Sequence, residues 1–243
     1  MTTLVRIAVA ALVALFLSSC GFDINLGDFI TGKKGNGKVV TENREITEEF
    51  TEVSASEGLM VYVTQADDFN IEVEADDNVI DLIATDIENG KLRVHARENI
   101  GNATKKIHVS LPEITTLKSS SGSQLRSESI VKGDKFEVDG SSGALIQLEL
   151  AVNDLEIDAS SGANLSISGN ADHAQVAVSR GGNINAKDLQ TKSCNADASS
   201  GGNLKIQVSE ALTADASSGG NIGYSGNPKV QNKKSVSGSV HQY

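Results

Sequence analysis

A three-residue phrase returns at a near-constant interval between Leu117 and Asn227, and it constrains the fold more than any other feature. It is Ser-Ser-Gly at 120–122, 141–143, 160–162, 199–201 and 217–219, and Ser-Arg-Gly at 179–181. Successive glycines lie 21, 19, 19, 20 and 18 residues apart. A unit this short cannot bury an apolar face alone, but a stack of such units can. The spacing therefore predicts a solenoid.

Aligning the copies on their glycine shows how each unit is built. Three places after it stand Leu125, Ile146, Leu165, Ile184, Leu204 and Ile222. Five places before it stand Leu117, Val138, Ile157, Val176, Ala196 and Ala214. Odd offsets are apolar or small on both sides of the phrase, and the residues between them are largely polar. That is a strand, a bend and a strand, each with one face inward. A turn of 18–21 residues fits one coil of a parallel β-helix, whose strands lie about 4.8 Å from those of the next coil. The glycine supplies a positive-φ corner. Identical positions then form ladders. The serine two before the glycine recurs as Ser120, Ser141, Ser160, Ser179, Ser199 and Ser217, and the position two after it becomes Asn164, Asn183, Asn203 and Asn221. Stacked amides can bond along the axis.

The start of the chain is a processing signal. Arg6 precedes an apolar run from Ile7 to Leu17, too short for a membrane span, and Leu17-Ser18-Ser19-Cys20 follows. Small residues before a cysteine there resemble a bacterial lipobox, with residues 1–19 removed and Cys20 diacylated. Two acyl chains give stable anchoring to a membrane. Residues 20–38, with Gly27, Gly32, Gly35 and Gly37, read as a flexible tether. The folded domain is expected over 39–240, with regular repeats over 115–227.

Residues 39–117 are strand-rich and less regular. Leu59, Val61 and Val63 alternate with polar or half-polar neighbours, as do Ile71 and Val73. Asn78–Asn89 places apolar residues near helical spacing, with an Asp before and Gly90 after, and predicts a short helix. Short strands follow around Leu92–Val94 and Ile107–Leu111 before Pro112. At the other end, Gly226-Asn227-Pro228 closes the last coil, leaving a cap strand and a loose tail.

The chemistry-bearing candidates are few. Four places before the glycine the column reads Lys118, Asp139, Asp158, Ala177, Asp197 and Asp215. Asp139 would face Asp158, and Asp197 would face Asp215. Such a ladder suits Ca²⁺ or a cationic partner, or is a solvated face that keeps strand edges apart. No EF-hand or Gly-Gly-x-Gly-x-Asp repeat favours the metal. The bend serines lack a nucleophile elbow and a visible triad order with His95, His108, His173 or His241. A polysaccharide-cleaving enzyme would need long loops and sugar-stacking aromatics, and the chain has no Trp and only 3 Tyr. No cofactor motif is present. Net charge −11 without a basic patch argues against nucleic acid. Cys194 falls in an inward column, and lipidation of Cys20 would leave it no disulfide partner.

The segment Phe50–Leu92, followed by Ser-Ser-Gly repeats with Gly-Asn-Ile or Gly-Asn-Leu, resembles the head GIN domain family of bacterial auto-transporter adhesins. The resemblance covers about Val39 to Val240. It implies a right-handed parallel β-helix, all-β, on an exported and often lipid-anchored protein, with the first half joined to the same solenoid. It carries no catalytic or binding residues over. The expected function is a non-enzymatic adhesion or binding module on the bacterial cell envelope, anchored to the outer membrane, its partner a glycan or an envelope protein. A structural or assembly role in the envelope is the alternative, and a polysaccharide-active enzyme comes third.

Overall fold

The computed structural model describes residues 32–233 and 237–243, with the side chains of 232 and 233 excepted. Cys20, the signal segment and the tether as far as residue 31 lie outside the described residues. The described residues form seventeen strands in one continuous sheet, wound as a parallel β-helix with antiparallel strands closing one end.

Each coil turns at the repeated phrase because two consecutive residues take positive φ. Ser121 and Gly122 have φ of 51° and 71°, and Ser142 and Gly143 have 51° and 74°. The amide of Ser123 donates to the Ser120 carbonyl (3.1 Å), closing a four-residue turn. Two positive φ values in succession mark the type I′ geometry, whose twist matches the flanking strands. The glycine was expected to supply this corner, but the residue before it shares the role, including Arg180 at φ 48°.

Strands leading into the bend form a first face and strands leaving it a second face. The regular coils comprise β8 (Thr116–Ser119), β9 (Gln124–Ser127), β10 (Val131–Gly140), β11 (Leu145–Ala159), β12 (Asn164–Val178), β13 (Asn183–Ala198), β14 (Asn203–Ala216) and β15 (Asn221–Ser225). Their ladders are parallel and in register: Val138 pairs with Ile157, Ile157 with Val176, and Ile146 with Leu165. Both apolar columns seen in the sequence are interior. Leu117, Val138, Ile157, Ala196 and Ala214 are fully buried, as are Ile184, Leu204 and Ile222. Each enclosed Leu or Ile contributes about 1.5–3 kcal/mol. The chain does not stop at Pro228. Strands β16 (Lys229–Lys233) and β17 (Ser239–Gln242) pair in parallel with β14 and β15, so the expected cap and tail form a further coil. There Ser237, at φ 74°, occupies the glycine place.

The first half both coils and caps. Strands β2 (Glu52–Ala55) and β3 (Met60–Gln65) stack on β8 and β9 in parallel. Their bend, Ser56-Glu57-Gly58, has φ of 61° and 69° at its centre and is another copy of the phrase. Beyond it, β6 (Lys91–Ala96) and β7 (Lys105–Leu111) add one more coil. The end is closed by antiparallel strands: β4 (Asn70–Asp76) on β7, β1 (Val39–Asn43) on β4, and β5 (Ile83–Glu88) on β6.

The helix expected over Asn78–Asn89 is not formed. Ile80–Leu82 makes a single 3-10 turn, and Ile83–Glu88 is strand β5. Asn89 and Gly90, at φ 54° and 74°, form a hairpin turn into β6. The open edge of β6 offers a full row of backbone partners, and that outweighs a weak helical propensity. The segment expected to end the tether is held too: Lys33 donates to the Asn99 carbonyl (2.8 Å), Gly35 to that of Asn102 (3.0 Å), and Lys38 pairs with Asp77 (2.8 Å).

Candidate functional site

The coil stack aligns outward residues into columns, so any site here is a strip along the axis. On the first face, in-register pairing sets Asp139 opposite Asp158 and Asp197 opposite Asp215, with Ala177 between the two pairs. Glu137 faces Glu156 one step along. Lys118 closes the acidic end through a 2.6 Å ion pair with Glu137, which raises the lysine's pKa. The Asp158 carboxyl is pushed above its ordinary range, first by loss of hydration and then by Asp139, Glu156 and Glu137. The structure thus brings the aspartates together in pairs. Among the described residues, however, no three His, Cys, Asp or Glu groups converge as a metal site.

A raised carboxyl pKa means that the folded protein holds the proton more tightly than the unfolded chain. The stabilising linkage is complete below the ordinary Asp range and is lost as pH rises through the folded pKa. At neutral pH the crowded charge therefore opposes folding. Asp158→Asn is expected to stabilise the protein at pH 7 by up to about 1 kcal/mol. The gain should vanish when unfolding is measured at acid pH, where both side chains are neutral. The effect is small because the carboxylate, though partly desolvated, keeps enough access to water for its neighbours' charges to be screened.

The serine column is in register at the bend, and its axial bonds run through the backbone. Ser141, Ser160, Ser179, Ser199 and Ser217 each donate an amide hydrogen to the preceding coil at 2.9–3.0 Å. Ser120 does the same toward Ala55 (2.9 Å). Asn164, Asn183, Asn203 and Asn221 are also successive ladder partners. The Asn164 and Asn203 side-chain amides donate to the carbonyls of Gly162 and Gly201 (3.1 Å each), tying each bend to its own coil.

A second corner carries one Ser–His contact. His173 Nδ1 and Ser193 Oγ lie 2.7 Å apart, and Asp154 precedes His173 in the same column. Asp154 makes no hydrogen bond or ion pair with that ring, so the base lacks the third group that orients it in a triad. Cys194 is enclosed between Ala174 and Leu212 of the adjoining coils; burial pushes its thiol up to about 12, which leaves it unreactive at neutral pH.

The second face holds residues that sequence reasoning passed over. Four places after Gly58 stands Tyr62, and four places after Gly122 stands Arg126; the register pairs them directly. Tyr62 stacks on His108 of the next coil outward, with ring centroids 4.9 Å apart at 12°. His108 in turn lies 3.7 Å from Glu128. A groove of about 400 Å³ runs along this face, lined by Met60, Tyr62, Arg126, Leu145, Gln147 and Asn185 among others. Leu145 is 45% exposed there. The signal that could have found the groove is Ser56-Glu57-Gly58: adding that copy to the alignment puts Tyr62 and Arg126 in one column.

A model of the family described as "Putative auto-transporter adhesin, head GIN domain" matches residues 49–228. Three solved structures share the fold. One, described as "a putative adhesin" from Parabacteroides merdae, is 23% identical with a TM-score of 0.70, over 86% of this chain and 98% of that one. Another with the same description, from Bacteroides fragilis, is 19% identical with a TM-score of 0.79, over 87% and 100%. A third, from Parabacteroides distasonis and described as a "putative lipid binding protein", is 20% identical with a TM-score of 0.68, over 86% and 98%. No curated protein matches the chain.

Proposed function

The chain belongs to the head GIN domain family, and from that premise we propose that it is a binding module of the bacterial cell envelope without catalytic activity of its own. The observation that supports this most is the division of labour between inside and outside. Apolar columns are committed to the core, while two long outward faces present regular ladders with few ion pairs. A face of this kind recognises a partner by repetition along one axis.

The anchor in this reading is a diacylated Cys20, which suits a protein that must stay at a membrane while its stack reaches outward. The adhesin description of the family and of two related structures favours an outward-facing location on the outer membrane. Protease shaving of intact cells tests this. Display predicts loss of the full-length protein on cells whose periplasmic markers survive, and loss of membrane association in Cys20→Ser. Full protection on intact cells would overturn display and leave an internal assembly role.

A further inference from the structure

The second-face groove has a chemistry that identifies its ligand class more closely. Along one column the outward residues are Tyr62, Arg126, Gln147, Ser166 and Asn185, each in register with the next. A parallel column two residues away reads Met60, Gln124, Leu145, Asn164 and Asn183. With about 4.8 Å between coils, five positions span about 19 Å. The lining is thus amide and hydroxyl groups, with a small apolar patch from Met60, Tyr62 and Leu145.

Two observations narrow the occupant. The strands under the groove are central to the sheet, with neighbours on both sides, so their backbone groups are already paired along the axis. A peptide could not add as a strand here and would leave its own amides unmatched. A ligand must bond to side chains that both donate and accept, which is what sugar hydroxyls do. Asn185 lines the far end of the strip, and its amide carries both donor and acceptor capacity.

The charge sets the second constraint. Arg126 is the charged residue of this lining, it is exposed, and among the described residues it has no ion pair or hydrogen-bond partner. A free guanidinium beside a tyrosine suits a carboxylate, which it can hold through two parallel hydrogen bonds. The net charge of −11 works against a ligand charged at every unit. We infer that the groove docks an extended, largely neutral glycan carrying spaced carboxylate sugars, with Arg126 on a carboxylate and the amide columns on the hydroxyls that follow. This rests on the reading of the chain as a binding module, and it names what is bound.

The test uses the whole chain purified in detergent and two probes: gellan, a linear glycan with glucuronate at intervals, and the same gellan after chemical reduction of its carboxyls. Retardation in affinity electrophoresis gives apparent dissociation constants. The wild-type chain is expected to bind gellan about 10- to 100-fold more tightly than the reduced polymer. Arg126→Gln should lose that factor on gellan and bind the reduced polymer as the wild type does, while Asp81→Asn, exposed in the 3-10 turn of the cap, leaves both unchanged. Equal binding of the two polymers by the wild type would overturn the proposal without any variant, as would full gellan binding by Arg126→Gln or no retention of the wild type at all. These readouts are made on purified protein, so they are independent of the shaving result: a displayed protein that ignores gellan fails here alone.

Discussion

Phe50→Ala will lower the stability of the native state by about 3–5 kcal/mol, the largest loss expected from a single truncation in this chain. The ring is 1% exposed and packs tilted against Phe69, with centroids 5.2 Å apart at 54°. It sits just before β2, where the amide of Thr51 reaches the Gly90 carbonyl (3.0 Å) and its carbonyl accepts from Thr115 (2.9 Å). The side chain therefore plugs the core at the place where cap and coils meet. The chain has only 6 Phe and no Trp, so few other groups could swing in to fill the space. Urea unfolding should show a lower midpoint with an unchanged slope. A loss below about 1 kcal/mol would mean that the junction collapses around the gap, contrary to the packing described.

Gly169→Ala is expected to cost about 3 kcal/mol, three times the effect of the same change at a bend glycine. Gly169 has φ of +105°, outside the left-handed region that other residues visit. A Cβ there would stand 2.0 Å from the Leu150 carbonyl oxygen, which is fixed in the middle of β11. By contrast a Cβ at Gly143, at φ +74°, meets nothing within 4 Å. Gly143→Ala should therefore cost only the backbone preference, about 1 kcal/mol. Thermal unfolding of the two variants side by side checks this. Equal losses would show that the approach of Gly169 to the neighbouring coil is relieved by a shift of the corner.

The regular coils were legible because they express one physical unit several times. An apolar residue three places after the glycine, repeated from Leu125 to Ile222, is hard to produce by any fold that does not stack. The first half hid its copy of the same unit for two reasons. Glu57 replaces the second serine, and 64 residues separate Gly58 from Gly122 because β4 to β7 are inserted between the two coils. At the other end, serine takes the glycine place at Ser237 and erases the phrase, though the turn survives.

The misread helix has a different lesson. Residues 78–89 carry both a helical apolar spacing and an Asn-Gly hairpin signal at 89–90, and only the presence of an unpaired β6 edge decides between them. Local pattern could not weigh a partner located by the rest of the fold. The acidic column was legible as a column, but its charge crowding at Asp158 depends on the register between β10 and β11. The Tyr62–Arg126 strip could be seen only after the hidden coil was added, because its two defining residues belong to coils far apart in sequence.

The order of the first coils has a consequence for how the molecule is made. The chain lays down β2 and β3, leaves to build β4 and β5 further out, comes back to fill the layer between with β6 and β7, and then crosses to the other side of β2 and β3 for β8. Winding from one end cannot produce that arrangement. The segment up to Leu111 has to assemble as a unit, through contacts that close long loops and form slowly. Once it has, β2 and β3 present a finished edge, and each later coil needs only to lie down on the one before it. A chain that emerges from a membrane with its N-terminus first thus delivers the template before the copies. Growth then proceeds in one direction, away from the N-terminal cap.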